Sequence, residues 1–179
     1  MNDRPFLLKP FPASAALPDL TISADITRRF NTLIVQYNLT GPLEELVIPT
    51  LSDRPVRTNN LWEETCLELF LAPDNSDHYW EFNLSPSGHW NIYHFRSYRK
   101  GMREEPAFTS LPFIVSGQEN AFRLSLEIGL DNIIPADRSL DVGVSAVIKS
   151  IEGELTCWAL VHTGTEADFH RRDGFIIKL

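Results

Sequence analysis

Residues 66–95 read Cys-Leu-Glu-Leu-Phe-Leu-Ala-Pro-Asp-Asn-Ser-Asp-His-Tyr-Trp-Glu-Phe-Asn-Leu-Ser-Pro-Ser-Gly-His-Trp-Asn-Ile-Tyr-His-Phe. Leu67, Leu69 and Leu71 alternate with Cys66, Glu68, Phe70 and Ala72, which is the two-residue period of a strand. Pro73 to Asp77 is a cluster of turn formers. Tyr79 to Leu84 and Trp90 to Phe95 are two further strands, joined by Ser85-Pro86-Ser87-Gly88.

The same rhythm extends outward in both directions. On the N-terminal side, Thr21–Arg28 and Leu33–Leu39 alternate in phase around a short turn at Phe30-Asn31, and Leu46-Val47-Ile48 is a short strand before a loop that leads into Trp62. On the C-terminal side, Phe113–Val115 and Phe122–Ile128 form a hairpin. Val142–Ile151 and Leu155–His162 flank the tight turn Glu152-Gly153, and Phe175–Leu179 is a terminal strand. Residues 97–106 form a loop, and Leu130–Ile134 is at most one helical turn before Pro135. About ten short strands at hairpin spacing, with no long helix, predict an all-β antiparallel β-sandwich of jelly-roll or immunoglobulin-like type. Strand alternation then offers one face of each sheet to the core and the other to a binding surface.

Composition sets the outer bounds. At 179 residues, 43% of them apolar, the expectation is one domain over residues 1–179 that folds without a disulfide scaffold. The net charge of −8, from 24 acids against 16 bases, argues against a nucleic-acid or anionic-membrane partner. No apolar stretch approaches the roughly 20 residues of a membrane helix. Met1 to Phe6 shows no cationic lead and apolar run, so a cytoplasmic location is expected, and it fits two unpaired cysteines. Cys66 and Cys157 read as reduced thiols buried within strands.

The block from Leu61 to Met102 resembles the DOMON-like sandwiches related to family 9 carbohydrate-binding modules. The likeness rests on Trp62, a short acidic step, the alternating Glu68-Leu69-Phe70-Leu71, the strand Trp80-Glu81-Phe82-Asn83 and a Pro86-Ser87-Gly88 turn. The ending Cys157 to His162, Asp168-Phe169-His170 and Asp173-Gly174-Phe175 is similar to that of a bacterial DOMON-like group, so the resemblance spans about residues 60–179. It implies an antiparallel sandwich with a small-ligand site on one sheet face, for a sugar or, in some DOMON members, haem. It carries the stacking tryptophan onto Trp62, the acid onto Glu68 and a basic sugar contact onto Arg96. For the second aromatic of the family's clamp the nearest residues are Trp158, His162 and Phe169.

The residues support a sugar reading on their own chemistry. A sugar presents an apolar C–H face and a rim of hydroxyls, so its site needs an aromatic platform and planar polar groups. Glu68, Glu81 and Asn83 are such groups, and alternation puts Glu81 and Asn83 on one face. Arg96 shares its strand face with Trp90, Ile92 and His94. The expectation is a non-catalytic module, without a cofactor, for a saccharide or sugar-like ligand. Trp62 stacks, Glu68, Glu81 and Asn83 bond hydroxyls, Arg96 orients, and His162 or His170 closes the far side.

The same residues also fit other roles. Trp62 and Trp80 serve equally as core aromatics, with Glu68 and Arg96 as a structural ion pair. His162, Asp168 and His170 fall within nine residues and invite a metal, and Met102 with a histidine invites haem. A protein-interaction domain without a small ligand is a third class. Catalysis has only the unselective acids Glu63, Glu64, Glu68 and Glu81, with no Gly-x-Ser-x-Gly elbow or phosphate loop. The basic run Arg96–Arg103 reads as a solvated loop or as a contact to an anionic sugar.

Overall fold

The computed structural model describes residues 5–12 and 17–179; residues 1–4, on which the reading of the N-terminus partly rests, lie outside it. In chain order its strands begin with β1 (Phe6–Leu7), β2 (Lys9–Pro10), β3 (Thr21–Arg29), β4 (Thr32–Thr40), β5 (Cys66–Pro73), β6 (Tyr79–Leu84) and β7 (Trp90–Phe95). They continue with β8 (Arg103–Glu104), β9 (Phe113–Gln118), β10 (Ala121–Gly129), β11 (Leu140–Lys149), β12 (Leu155–Ala159) and β13 (Ile177–Lys178). Two antiparallel sheets face each other as a β-sandwich. One runs β1-β3-β4-β10-β9; the other runs β2-β12-β11-β5-β6-β7-β8, with β13 added beside β11. Among the described residues the only helical elements are three-residue 3-10 turns.

The sandwich closes on the residues that alternation singles out. Ile22, Val35, Tyr37 and Leu124 of the five-stranded sheet meet Leu69, Phe82, Ile92 and Val144 of the larger one, all buried. Tyr37 crosses the core and donates its hydroxyl to the Glu68 backbone carbonyl at 2.5 Å, tying the sheets together at that strand. Trp80, Trp90 and Trp158 belong to this core, so three of the four tryptophans hold the fold. Trp80 Nε1 donates to Glu105, Trp158 Nε1 donates to Thr156, and the Arg57 guanidinium lies 4.4 Å over Trp90.

Several elements differ from the reading of the sequence. Leu46 makes only an isolated bridge to Ser150, so no strand forms at 46–48. The strand expected to reach His162 stops at Ala159, and the terminal strand shortens to Ile177–Lys178. β1, β2 and β8 are two-residue edge strands, too short to leave a period in the sequence.

The two sheets treat their outer faces differently. β3 and β10 bury alternate residues, as a sheet with one wet face must. β5, β6 and β7 are buried at every position. Something therefore covers the outer face of the larger sheet, and chain segments do so there.

Candidate ligand-binding site

The register lays polar residues across the covered face. Ser145 of β11 pairs with Glu68 of β5, Glu68 with Asn83 of β6, and Asn83 with Asn91 of β7. Glu81 lies two residues from Asn83 on the same side. These side chains take the face opposite the apolar core because Leu67, Leu69, Phe82, Leu84 and Ile92 hold the other parity. Toward one end the row gives way to aromatics: Tyr79 and Phe95 stack with centroids 4.8 Å apart and planes 4° from parallel, with Phe70 and Phe175 beside them.

Three segments fold over this floor. The first is the 3-10 turn Leu61–Glu63, entered through Asn60 in a left-handed conformation. Asn59 anchors it by accepting from the Asn91 amide at 2.8 Å and from the Tyr93 hydroxyl at 2.7 Å. That anchoring sets Trp62 edge-on against Tyr93, ring centroids 5.9 Å apart. The second segment is the turn after β7, where Arg96 N–H donates to the Lys100 carbonyl and Lys100 N–H to the Ser97 carbonyl. Arg99 sits in it at φ 52°, a cost to any residue with a Cβ. The third segment, residues 160–176, carries Asp168, Phe169 and His170. Asp168 accepts from Arg99 Nη2 at 2.8 Å and Nε at 3.2 Å, and from the Tyr98 hydroxyl at 2.5 Å, so it locks the second and third segments to each other.

Between the segments and the floor lies a cavity of about 430 Å³, within the range of small-ligand sites. Glu68 and Glu81 are at its base. Trp62, Phe95 and Phe169 supply aromatic wall, Met102 and Leu155 aliphatic wall, and Arg99 and His170 complete the polar lining.

Burial controls the charges here. Desolvation, and repulsion from Glu81, push the Glu68 carboxyl well above the usual carboxylate range. Glu81 is pushed up to about 7 by desolvation, against the pull of the Asn83 hydrogen bond and the Arg99 charge. His170 is held down to about 4 by burial and by Arg99. It sits edge-on to Phe70, Tyr79 and Phe95 at 5.0–5.9 Å. Its Nε2 lies 3.8 Å from Glu81 Oε2, but this is no ion pair: below pH 7 Glu81 keeps its proton, and at neutral pH the His170 ring is uncharged. Arg99 N–H donates to the Tyr79 hydroxyl, and that hydroxyl lies 2.8 Å from His170 Nδ1. Tyr79 and His170 Nδ1 thus share a hydrogen bond, and Nε2 is the ring nitrogen that faces Glu81. The floor thus offers protonated acids as donors and lone pairs as acceptors, the pattern a polyhydroxylated ligand matches.

Of the residues picked out from the sequence, the structure brings Trp62, Glu68, Glu81 and His170 to one cavity. Asn83 lies beneath it, fully buried, and donates to Glu81 Oε1 at 2.8 Å; it orients the acid and does not line the cavity. Arg96 is corrected: its parity is that of Trp90 and Ile92, the core side, and it is exposed beyond the end of β7, packed under Gly101. Nor does it pair with Glu68. Arg99 is the guanidinium at the cavity. His162 is corrected too, since its Nε2 donates to the Lys9 carbonyl at 2.8 Å and it packs on Phe11, so it fastens the N-terminal edge. The thiols are free, yet both stand on the outer-face parity, and Cys157 lines the cavity. Met102 and His170 share the cavity, but both His170 nitrogens already face Tyr79 and Glu81. Among the described residues no group of three or more His, Cys, Asp or Glu is arranged to hold a metal ion.

No protein-family model and no curated sequence matches the chain. Solved structures do. A candidate carbohydrate-binding protein from Bacteroides uniformis is similar over 96% of this chain and 82% of its own, with a TM-score of 0.69 at 12% identity. A family 9 carbohydrate-binding module from Caldicellulosiruptor kristjanssonii, solved with glucose, is similar over 88% of this chain and 75% of its own, with a TM-score of 0.51 at 10% identity. At such identities the likeness is one of fold.

Proposed function

We propose that the chain is a non-catalytic module, of the DOMON-like kind related to family 9 carbohydrate-binding modules, that holds a saccharide in the cavity over its larger sheet. The observation that carries this is the joining of aromatic walls, Trp62 and Phe169, to a floor of planar acids in one cavity. Apolar sugar faces need the first and hydroxyls the second. Arg99 takes the orienting role at the rim, fixed by Asp168. The sugar bound to the family 9 module of the same fold adds support for a saccharide as the ligand class.

Binding without catalysis follows from where the acids stand. Glycoside cleavage needs carboxyl groups on either side of the scissile bond. Glu68 and Glu81 rise from neighbouring strands of one floor, on the same face. The two free thiols fit a reducing compartment, and we place the module in the cytoplasm.

A panel of glucose, cellobiose, xylose, sugar nucleotides and cell-wall sugars tests the reading through melting temperature. A ligand at a hundred times its Kd stabilises by about 2.7 kcal/mol. For a chain of this length that is a rise of roughly 5–10 °C. A panel without one member that raises the melting temperature counts against a saccharide site.

A further inference from the structure

We propose that the ligand carries a primary ammonium group, as an amino sugar does, seated between Glu68 and Glu81; this deepens the saccharide reading and rests on it. Both carboxyl groups are at least nine-tenths buried, with 3% and 5% of their surface exposed, and both line the cavity. Each spends one oxygen on the protein. Glu68 Oε2 accepts from the Ser145 hydroxyl at 3.5 Å, and Glu81 Oε1 accepts from the Asn83 amide at 2.8 Å. Glu68 Oε1 and Glu81 Oε2 have no hydrogen-bond donor among the described residues. The nearest basic nitrogen to the second among the described residues is His170 Nε2 at 3.8 Å.

Among the described residues no lysine or arginine forms an ion pair with either acid, although the Arg99 charge acts on Glu81 from a distance. The Arg99 guanidinium bonds Asp168 through Nε and Nη2, and His170 is neutral at physiological pH. Two buried acids without a counter-cation keep protons, which is what burial and mutual repulsion impose on this pair. An ammonium group offers three donors and a unit charge. Two donors meet the two free oxygens, and the unit charge compensates one carboxylate, so the pair passes about one proton to solvent as the ligand arrives. A neutral sugar meets the same oxygens with hydroxyls and leaves the protons in place.

The other titratable groups against the floor do not obscure that signature at pH 6.5. Tyr79 and Tyr93 are pushed up to about 12, while Cys66, Cys157 and Tyr37 are raised by burial. His170 stays neutral and Asp168 stays ionised. Proton release on binding therefore reports Glu68 and Glu81.

Calorimetry with glucose and glucosamine at pH 6.5, in two buffers of different ionisation enthalpy, tests the proposal on the unmodified protein. Glucosamine is expected to bind at least tenfold more tightly than glucose and to release about one proton, whereas glucose releases close to none. Glu68→Gln and Glu81→Gln are each expected to pull the ratio of the two affinities toward one. If glucose binds and glucosamine is no tighter, or is tighter without proton release, the ammonium proposal is overturned and the saccharide reading stands. If neither sugar binds while another neutral member of the panel does, the ammonium proposal falls alone; if no member of the panel binds, both fall.

Discussion

Glu81→Gln is expected to make the protein more stable at pH 8, on the order of 3 kcal/mol, and to leave it nearly unchanged at pH 4.5. The sign follows from the direction of the shift. An unfolded glutamate loses its proton near its ordinary value, whereas folded Glu81 keeps it up to about 7. Between these values the native state binds more protons than the unfolded state, so stability falls as pH rises, by about 1.4 kcal/mol per pH unit. Glu68, shifted in the same direction by burial and by Glu81, adds to the fall as pH rises. His170 works the other way: its folded value is depressed to about 4, so its share of stability is lost as pH drops below 6.5. The acid pair is therefore seen without opposition from about pH 6.5 upward. Glutamine keeps the acceptor that Asn83 bonds and removes the charge. Urea unfolding of both proteins from pH 4.5 to 8.5 measures the effect. A parent whose stability rises between pH 6.5 and 8.5, with a variant less stable than the parent at pH 8, contradicts the account of the floor.

Trp62→Ala is expected to weaken saccharide binding at least thirtyfold while the fold persists. A half-buried aromatic in the wall of a small-ligand site is an anchor of the kind whose truncation costs about 2 kcal/mol or more. Its loss spares the core, because Trp62 stands on a 3-10 turn outside the sandwich and packs only on the rim of the outer-face aromatics. The turn itself is held by hydrogen bonds among Asn59, Asn91 and Tyr93, which the substitution leaves in place although it removes the ring contact to Tyr93. Titration of the best sugar from the panel into parent and variant, with circular dichroism for the fold, separates binding from folding. Equal affinity in a folded variant would remove Trp62 from the site.

What alternation could tell, the sequence told. The parity of Leu67, Leu69 and Phe82 against Glu68 and Glu81 is printed in the chain, and the structure keeps it. The same parity shows that Trp80 and Trp90 travel with Phe82, Leu84 and Ile92 into the core, although both sit in the aromatic block. Parity ends where strands end. Arg96 and Arg99 are three residues apart, and which one reaches the cavity depends on a turn after Phe95 that puts Arg99 at φ 52°. Only the Ser97–Lys100 pairing and the distant Asp168 decide that. His162 and His170 present the same problem, since each is fixed by a partner far along the chain, Lys9 for one and Tyr79 for the other. Phe169 and Met102 reach the site from loops, where no local period marks them. The one signal available for the locked segments was charge: a basic turn at 96–103 and an acid at 168 in an otherwise acidic chain.

The central claim is that a saccharide sits over the outer face of the larger sheet, and the four tryptophans make it directly measurable. Three are core residues, 3–5% exposed, and one lines the cavity. In a nitrogen-15 spectrum titrated with glucose and then glucosamine, the Trp62 indole N–H resonance is expected to shift in proportion to saturation. Those of Trp80, Trp90 and Trp158 should hold still. A Trp62 resonance unmoved by either sugar, or shifts confined to the core tryptophans, would contradict a binding site at this face.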